Sequence, residues 1–210
     1  MEVRPMIINV ILGSTRDESL GRRLFKYLLK RQDEFEKVND VKFNFISLSD
    51  YNLPFFYESM APMDNPNRVL KPNEQRWVDD MRQADGYIFL VPEYNHSFPA
   101  VLKNALDFLA FEAKGKPAKI ITYSNNSRGG QFSYPALLPT LGQLGFFTLP
   151  KPTSVRNVDK NFGVDGNFVK DAPGKHGDIK KLNRAFAESA FYSKLFKEHP
   201  FKYDAHIYDK

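Results

Sequence analysis

Cysteine is absent from all 210 residues. That excludes disulfides, thiolate nucleophiles and cysteine-ligated zinc or iron–sulfur centres. Histidine is scarce: His96, His176, His199 and His206 stand apart, with no spacing such as HExxH to set two imidazoles on one helix face. No metal site is expected. Long apolar runs are missing as well. The stretch from Met6 to Leu12 is far too short to cross a bilayer, and no basic-then-apolar leader with a small-residue cleavage site precedes it. The expectation is a soluble, cytoplasmic protein without a membrane partner. Blocks of like charge are also lacking, since 30 Lys and Arg against 25 Asp and Glu leave a net charge of +5 spread along the chain. That pattern does not ask for nucleic acid, although a mildly basic surface suits anionic ligands.

What is present is enough apolar material, 42% of the residues, to bury one substantial core, so a single domain over 1–210 is expected. Strand and helix signals alternate along it. "MIINVIL" (6–12) is a β-branched run that reads as a buried strand. Leu20, Leu24, Tyr27 and Leu28 then recur at helical spacing. "VKFNFISL" (41–48) alternates as a second strand, and an aromatic, proline-containing loop covers 51–67. A helix near 72–84 carries Trp77, Val78 and Met81 on one face, and "GYIFLV" (86–91) is a third strand. Phe98 to Glu112 reads as helix, "AKIITYS" (118–124) as a fourth strand, 134–144 as a proline-interrupted helix, and "GFFTLPKPTSV" as a fifth strand. Residues 156–177 are polar and glycine-containing, which predicts a flexible surface insertion, with a last helix over 178–198. Alternating elements of this kind make an α/β fold, a parallel sheet with helices on both faces. Right-handed crossovers then gather the strand-to-helix loops at one sheet edge, where ligands of such folds bind.

Three of those loops carry chemistry. In "LGSTRDES", Ser14, Thr15 and Ser19 offer hydroxyls at a helix start, and Arg16 offers a planar fork suited to phosphate oxygens. Neither GxxxxGK[ST] nor GxGxxG is present, so a nucleoside triphosphate or dinucleotide cradle is not indicated. The plainer alternative is that Ser19 only caps the helix and Arg16 is solvated. In "VPEYNHSFPAVLKNALDFL", Pro92 ends a strand, and Glu93, Tyr94 and Asn95 can offer backbone groups and a flat surface to a planar ligand; a simple connection is the alternative. Lys103, Asn104 and Asp107 read as packing or pairing residues. In "SNNSRGG", Gly129 and Gly130 permit positive φ and close backbone approach to a ligand, and Asn125 and Asn126 tolerate it; a plain surface turn is the alternative.

Together, "GSTRDES" and "PEYNHSFPAVLKNALD" make the chain resemble the NADPH-dependent FMN reductase family over roughly 6–150, a family that includes quinone, azo-dye and chromate reductases. The resemblance implies a flavodoxin-like three-layer sandwich whose five-stranded parallel sheet has the order 2-1-3-4-5, a bound FMN and a homodimer. It places Ser14, Arg16 and Ser19 on the FMN phosphate, Pro92, Glu93, Tyr94 and Asn95 along the isoalloxazine ring, and Ser124 through Gly129 at its far edge. Tyr94, His96 and Phe98 would shape the substrate site, with Phe56 and its neighbours Phe55 and Tyr57 reaching it across the flavin or a dimer interface. Relatives often carry asparagine where this chain has Gly21, and glycine where it has Asn126. The implied activity is ping-pong: NADPH or NADH passes hydride to the flavin, which then reduces a quinone, azo compound, free flavin or similar small-molecule acceptor. No catalytic side chain is required. Arg128 is a candidate contact for a 2′-phosphate. Two alternatives use the same fold: a non-enzymatic flavodoxin-like electron carrier, which this basic chain does not match in charge, and a regulatory protein that senses flavin redox state.

Overall fold

The β-branched and aromatic runs form strands, and the proline and glycine positions decide where those strands end. In the computed structural model, which describes residues 4–201, the elements are β1 (Ile7–Leu12), α1 (Leu20–Leu29), α2 (Gln32–Asn39), β2 (Lys42–Ser47), α3 (Pro72–Gln83), β3 (Gly86–Pro92), α4 (Ala100–Asp107), β4 (Pro117–Tyr123), α5 (Ser133–Gln143), β5 (Phe147–Thr148), β6 (Thr153–Val155), α6 (Val158–Asn161) and α7 (Lys175–Glu198). His206 lies outside the described residues. The strands pair in parallel in the order β2-β1-β3-β4-β5, the order implied by the resemblance.

Side chains alternate across the sheet with period two, and each face buries its set against helices. Tyr87, Phe89 and Val91 of β3 pack with Trp77, Val78 and Met81 of α3, Leu102 and Leu106 of α4, and Leu137 and Leu141 of α5. Ile88 and Leu90 face the other way, with Leu24 and Leu28 of α1, Phe35 of α2, and Leu182 and Phe186 of α7. The result is a three-layer sandwich.

Local chemistry corrects four sequence expectations. The fifth strand is broken in two, because Pro150 and Pro152 have no N–H to give a ladder and Lys151 between them has φ of 57°. Its halves still occupy one sheet position: β5 pairs with Pro117 and Ala118, and β6 with Ile121 to Tyr123. The helix expected over 98–112 is confined to α4. Beyond it the Glu112 carboxylate accepts the Ala110 N–H at 2.7 Å and turns the chain, a local bond that competes with the helical one. The last helix begins at Lys175, ahead of Asp178.

The fourth correction concerns 156–177, which is packed against the body. Val158 and Phe162 are fully buried, and Phe162 and Phe168 meet Tyr27 of α1 with ring centroids 5.2 and 5.0 Å away. Arg23 and Lys26 of α1 donate to the carbonyls of Phe162 and Val164. Asn161 knots the segment to α7, donating to the Arg156 carbonyl and to Asp178 and accepting the Gly174 N–H. Three apolar anchors in a polar sequence are enough to dock it, and composition averages them away.

Candidate functional site

Parallel pairing sends the chain out of β1, β3 and β4 at the same sheet edge, so residues 13–19, 93–99 and 124–130 become neighbours. Between them lies a cavity of about 380 Å³, lined by Arg16, Glu18, Ser19, Leu20, Pro92, Glu93, Tyr94, Tyr123, Ser124, Asn125, Asn126 and Asp159. That volume lies within the usual range for small-molecule sites, roughly 300–1,000 Å³.

The first loop uses its polar groups in distinct ways. Ser19 has extended backbone, and its Oγ accepts the Arg22 N–H at 3.2 Å, which makes it the N-cap of α1. Because the oxygen accepts there, its own hydroxyl proton is free to be donated outward, so capping and ligand binding are compatible. The N–H groups of Leu20 and Gly21, in the first turn, have no carbonyl behind them in the helix and form the positive end of its dipole. Arg16 is exposed, with its guanidinium 5.7 Å from the centre of the Tyr94 ring. Ser14 is not on the cavity wall. It is fully buried, and its Oγ lies 2.9 Å from the Tyr94 hydroxyl, a bond that fixes the tyrosine.

The second loop is held open by a tight turn. Tyr94 and Ser97 exchange backbone hydrogen bonds of 2.8 and 3.0 Å across Asn95 and His96, whose φ values are 50° and 62°. Two successive positive φ values mark a primed turn, and non-glycine residues hold such backbone at a cost of about 1–3 kcal/mol each. Glu93 Oε2 accepts the Phe132 N–H at 2.8 Å, tying this loop to the start of α5. Its carboxylate is therefore a brace. Asn95 and His96 are exposed, with the His96 ring 4.5 Å from that of Phe132. Phe98 packs into the core on the α3–α5 side, and Phe56 sits edge-on to Phe108 at 5.3 Å. Asn95, His96, Phe98 and Phe56, and Gly129 of the third loop, thus lie off the cavity wall, while Tyr94 lies on it. Asn104 of α4 packs and pairs as expected, accepting the Phe56 N–H and donating to the Pro54 carbonyl, both at 2.8 Å.

The third loop is shaped by Asn126, whose Oδ1 accepts the Arg128 N–H at 2.9 Å, and by Gly129 and Gly130 at φ of 64° and 74°. A Cβ at Gly130 would stand 2.9 Å from the Tyr123 carbonyl oxygen, so only glycine lets the loop fold back on β4. Behind this loop, the Asn157 N–H donates to the Asn126 carbonyl and the Val158 N–H to that of Ser124. The segment 156–177 therefore buttresses the site, and through Asp159 it joins the cavity wall. Sequence reading missed Asp159, because no local motif announces it. It also missed Tyr123, although strand alternation from Lys119 through Ile121 would have directed it toward α1. Among the described residues no group of three or more His, Asp or Glu could hold a metal, and no helix is long and apolar enough to cross a membrane.

A family model described as NADPH-dependent FMN reductase matches residues 6–160. The chain is 30% identical to an NAD(P)H-dependent FMN reductase of Schizosaccharomyces pombe, over 95% of this chain and 94% of that protein. It is 28% identical to a 2-hydroxy-1,4-benzoquinone reductase of a Burkholderia species, over 80% and 88% of the two chains. Among solved structures, the flavoenzyme NAD(P)H:(acceptor) oxidoreductase FerB of Paracoccus denitrificans superposes with a TM-score of 0.65 at 22% identity, covering 89% of this chain and 97% of that one, a likeness of fold.

Proposed function

The chain belongs to the NADPH-dependent FMN reductase family and is an oxidoreductase; from that premise we propose that it holds FMN in the cavity and transfers two electrons from NADPH or NADH to quinones, azo compounds or free flavin. The observation that carries this reading is the convergence of all three loops on one cavity of about 380 Å³. The residues present fit the cofactor. Arg16, the Ser19 hydroxyl and the first-turn amides of α1 form a donor set for a phosphate. Pro92, Glu93 and Tyr94 of the second loop and Ser124, Asn125 and Asn126 of the third line the same cavity, where a flat ring would lie between them. Tyr123 lines the same cavity, and its buried hydroxyl has no hydrogen-bond partner among the described residues.

FMN supplies the redox chemistry when bound. The chain's own residues bind and orient it. Tyr94 is held by Ser14 at the wall, and Glu93 is engaged by the Phe132 amide, so both have a positioning role in the site. With FMN held by these residues, nicotinamide and acceptor would take turns at the same site, which is the basis of the proposed ping-pong order. The relatives named as FMN reductase and benzoquinone reductase support free flavin and quinones among these acceptors.

Purified protein with FMN should turn yellow on gel filtration, oxidise NADPH and give parallel double-reciprocal lines when a quinone is varied. No retained flavin and no NADPH oxidation would defeat the proposal; intersecting lines would defeat its kinetic order. A homodimer is part of the same proposal. Phe55 and Tyr57 are 84% and 53% exposed on a loop held rigid by Arg68, which donates to Glu58 at 2.6 Å and to the Phe108 carbonyl at 2.8 Å. Exposed aromatics on a rigid loop are the kind of surface a second subunit covers. Sedimentation at twice the chain mass is expected, reverting to one chain mass in Phe55→Asp. A monomeric wild type rejects the dimer.

A further inference from the structure

Gly21 lies inside α1 in ordinary helical backbone, where glycine costs about 1 kcal/mol relative to alanine. Space explains its presence. A Cβ at this position would overlap the Tyr123 hydroxyl oxygen and stand 2.7 Å from Tyr123 Cζ and 2.8 Å from Leu12 Cδ1. The phenol at the end of β4 therefore reaches into the first turn of α1. Tyr123 is 2% exposed, and its hydroxyl is buried with no hydrogen-bond partner among the described residues. An unmade buried bond costs roughly 1–3 kcal/mol, which phenylalanine at the same position would avoid. A structural role alone gives no reason to keep the oxygen.

The surroundings give one. Tyr123 lines the cavity, and its hydroxyl is close enough to Tyr94 and Arg16 to feel both electrostatically. Burial pushes the phenol well above its ordinary range, Tyr94 raises it further, and Arg16 opposes them. The group is therefore a neutral donor at physiological pH. A neutral O–H, an arginine and the amide end of a helix together suit an anionic oxygen.

We propose that the Tyr123 hydroxyl donates to the phosphate end of bound FMN, and that Gly21 is glycine to leave it room. This rests on the flavin reading given above. The test uses flavin-stripped full-length wild type and Tyr123→Phe, each titrated with FMN and with riboflavin, which lacks the phosphate, while quenching of flavin fluorescence is followed. The FMN dissociation constant is expected to rise roughly tenfold in the variant, the loss of one hydrogen bond to a charged group, with riboflavin affinity unchanged. The thermal midpoint should not fall, because the deleted oxygen is unpaired in the free protein. Unchanged FMN affinity, or equal weakening of both flavins, overturns the assignment. Wild type that binds neither flavin overturns the functional reading along with it, whereas wild type that binds FMN while the variant shows no selective loss defeats this proposal alone.

Discussion

Replacing Arg16 with alanine is expected to weaken FMN binding about a hundredfold, equivalent to about 2.7 kcal/mol, while shifting the thermal midpoint little. Among the described residues that line the cavity Arg16 is the one cation, and Glu18, Glu93 and Asp159 share that lining. Its removal takes away a charge-assisted contact and leaves those carboxylates unopposed beside a ligand dianion, so both effects act in the same direction. Stability is little involved, because the side chain is exposed and its guanidinium only approaches the Tyr94 ring, at 5.7 Å from the ring centre. Calorimetric titration of FMN, paired with a melting curve, separates the two quantities. An affinity equal to wild type removes the phosphate role from Arg16, and a large drop in midpoint reassigns it to the fold.

Phe186→Ala is expected to behave in the opposite way. Phe186 is fully buried in α7, stacked on Phe35 at 4.0 Å and tilted against Phe43 at 4.8 Å, so it joins three elements over one face of the sheet. Truncating a buried phenylalanine costs about 3–5 kcal/mol, a large share of the roughly 5–15 kcal/mol that holds a domain folded. The urea midpoint should fall accordingly with little change in slope. The molecules that remain folded should bind FMN as wild type does, since Phe186 is not on the cavity wall. A loss below about 1 kcal/mol would show that the site collapses and refills, contrary to a close-packed aromatic stack.

Much of this could be read in the chain because local and tertiary signals agree. The β-branched run at 6–12, the apolar run at 86–91 and the loops opening after them are written in adjacent residues, and parallel pairing then brings the loops together. What could not be read depends on distant partners. Whether Ser14 faces a ligand or a tyrosine 80 positions away is decided by the close approach of two loops. The docking of Phe162 and Phe168 depends on Tyr27, which lies in another helix far along the chain. Phe56 has the composition of a binding residue but finds Phe108. The split of the fifth strand was signalled by Pro150 and Pro152, yet their effect on register needs the neighbouring strand to be known.

The match to the family model ends at residue 160, but the folding unit does not. Leu182, Ala185, Phe186 and Ala190 of α7 complete the core on one side of the sheet, and Asn161 is fastened to Asp178. A fragment cut at the end of the matched region would carry every loop of the cavity and still expose to water the part of one sheet face that α7 covers. For anyone transplanting or minimising this scaffold, the smallest portable piece runs through α7, and a graft that spares only the recognisable motifs discards what holds them in place.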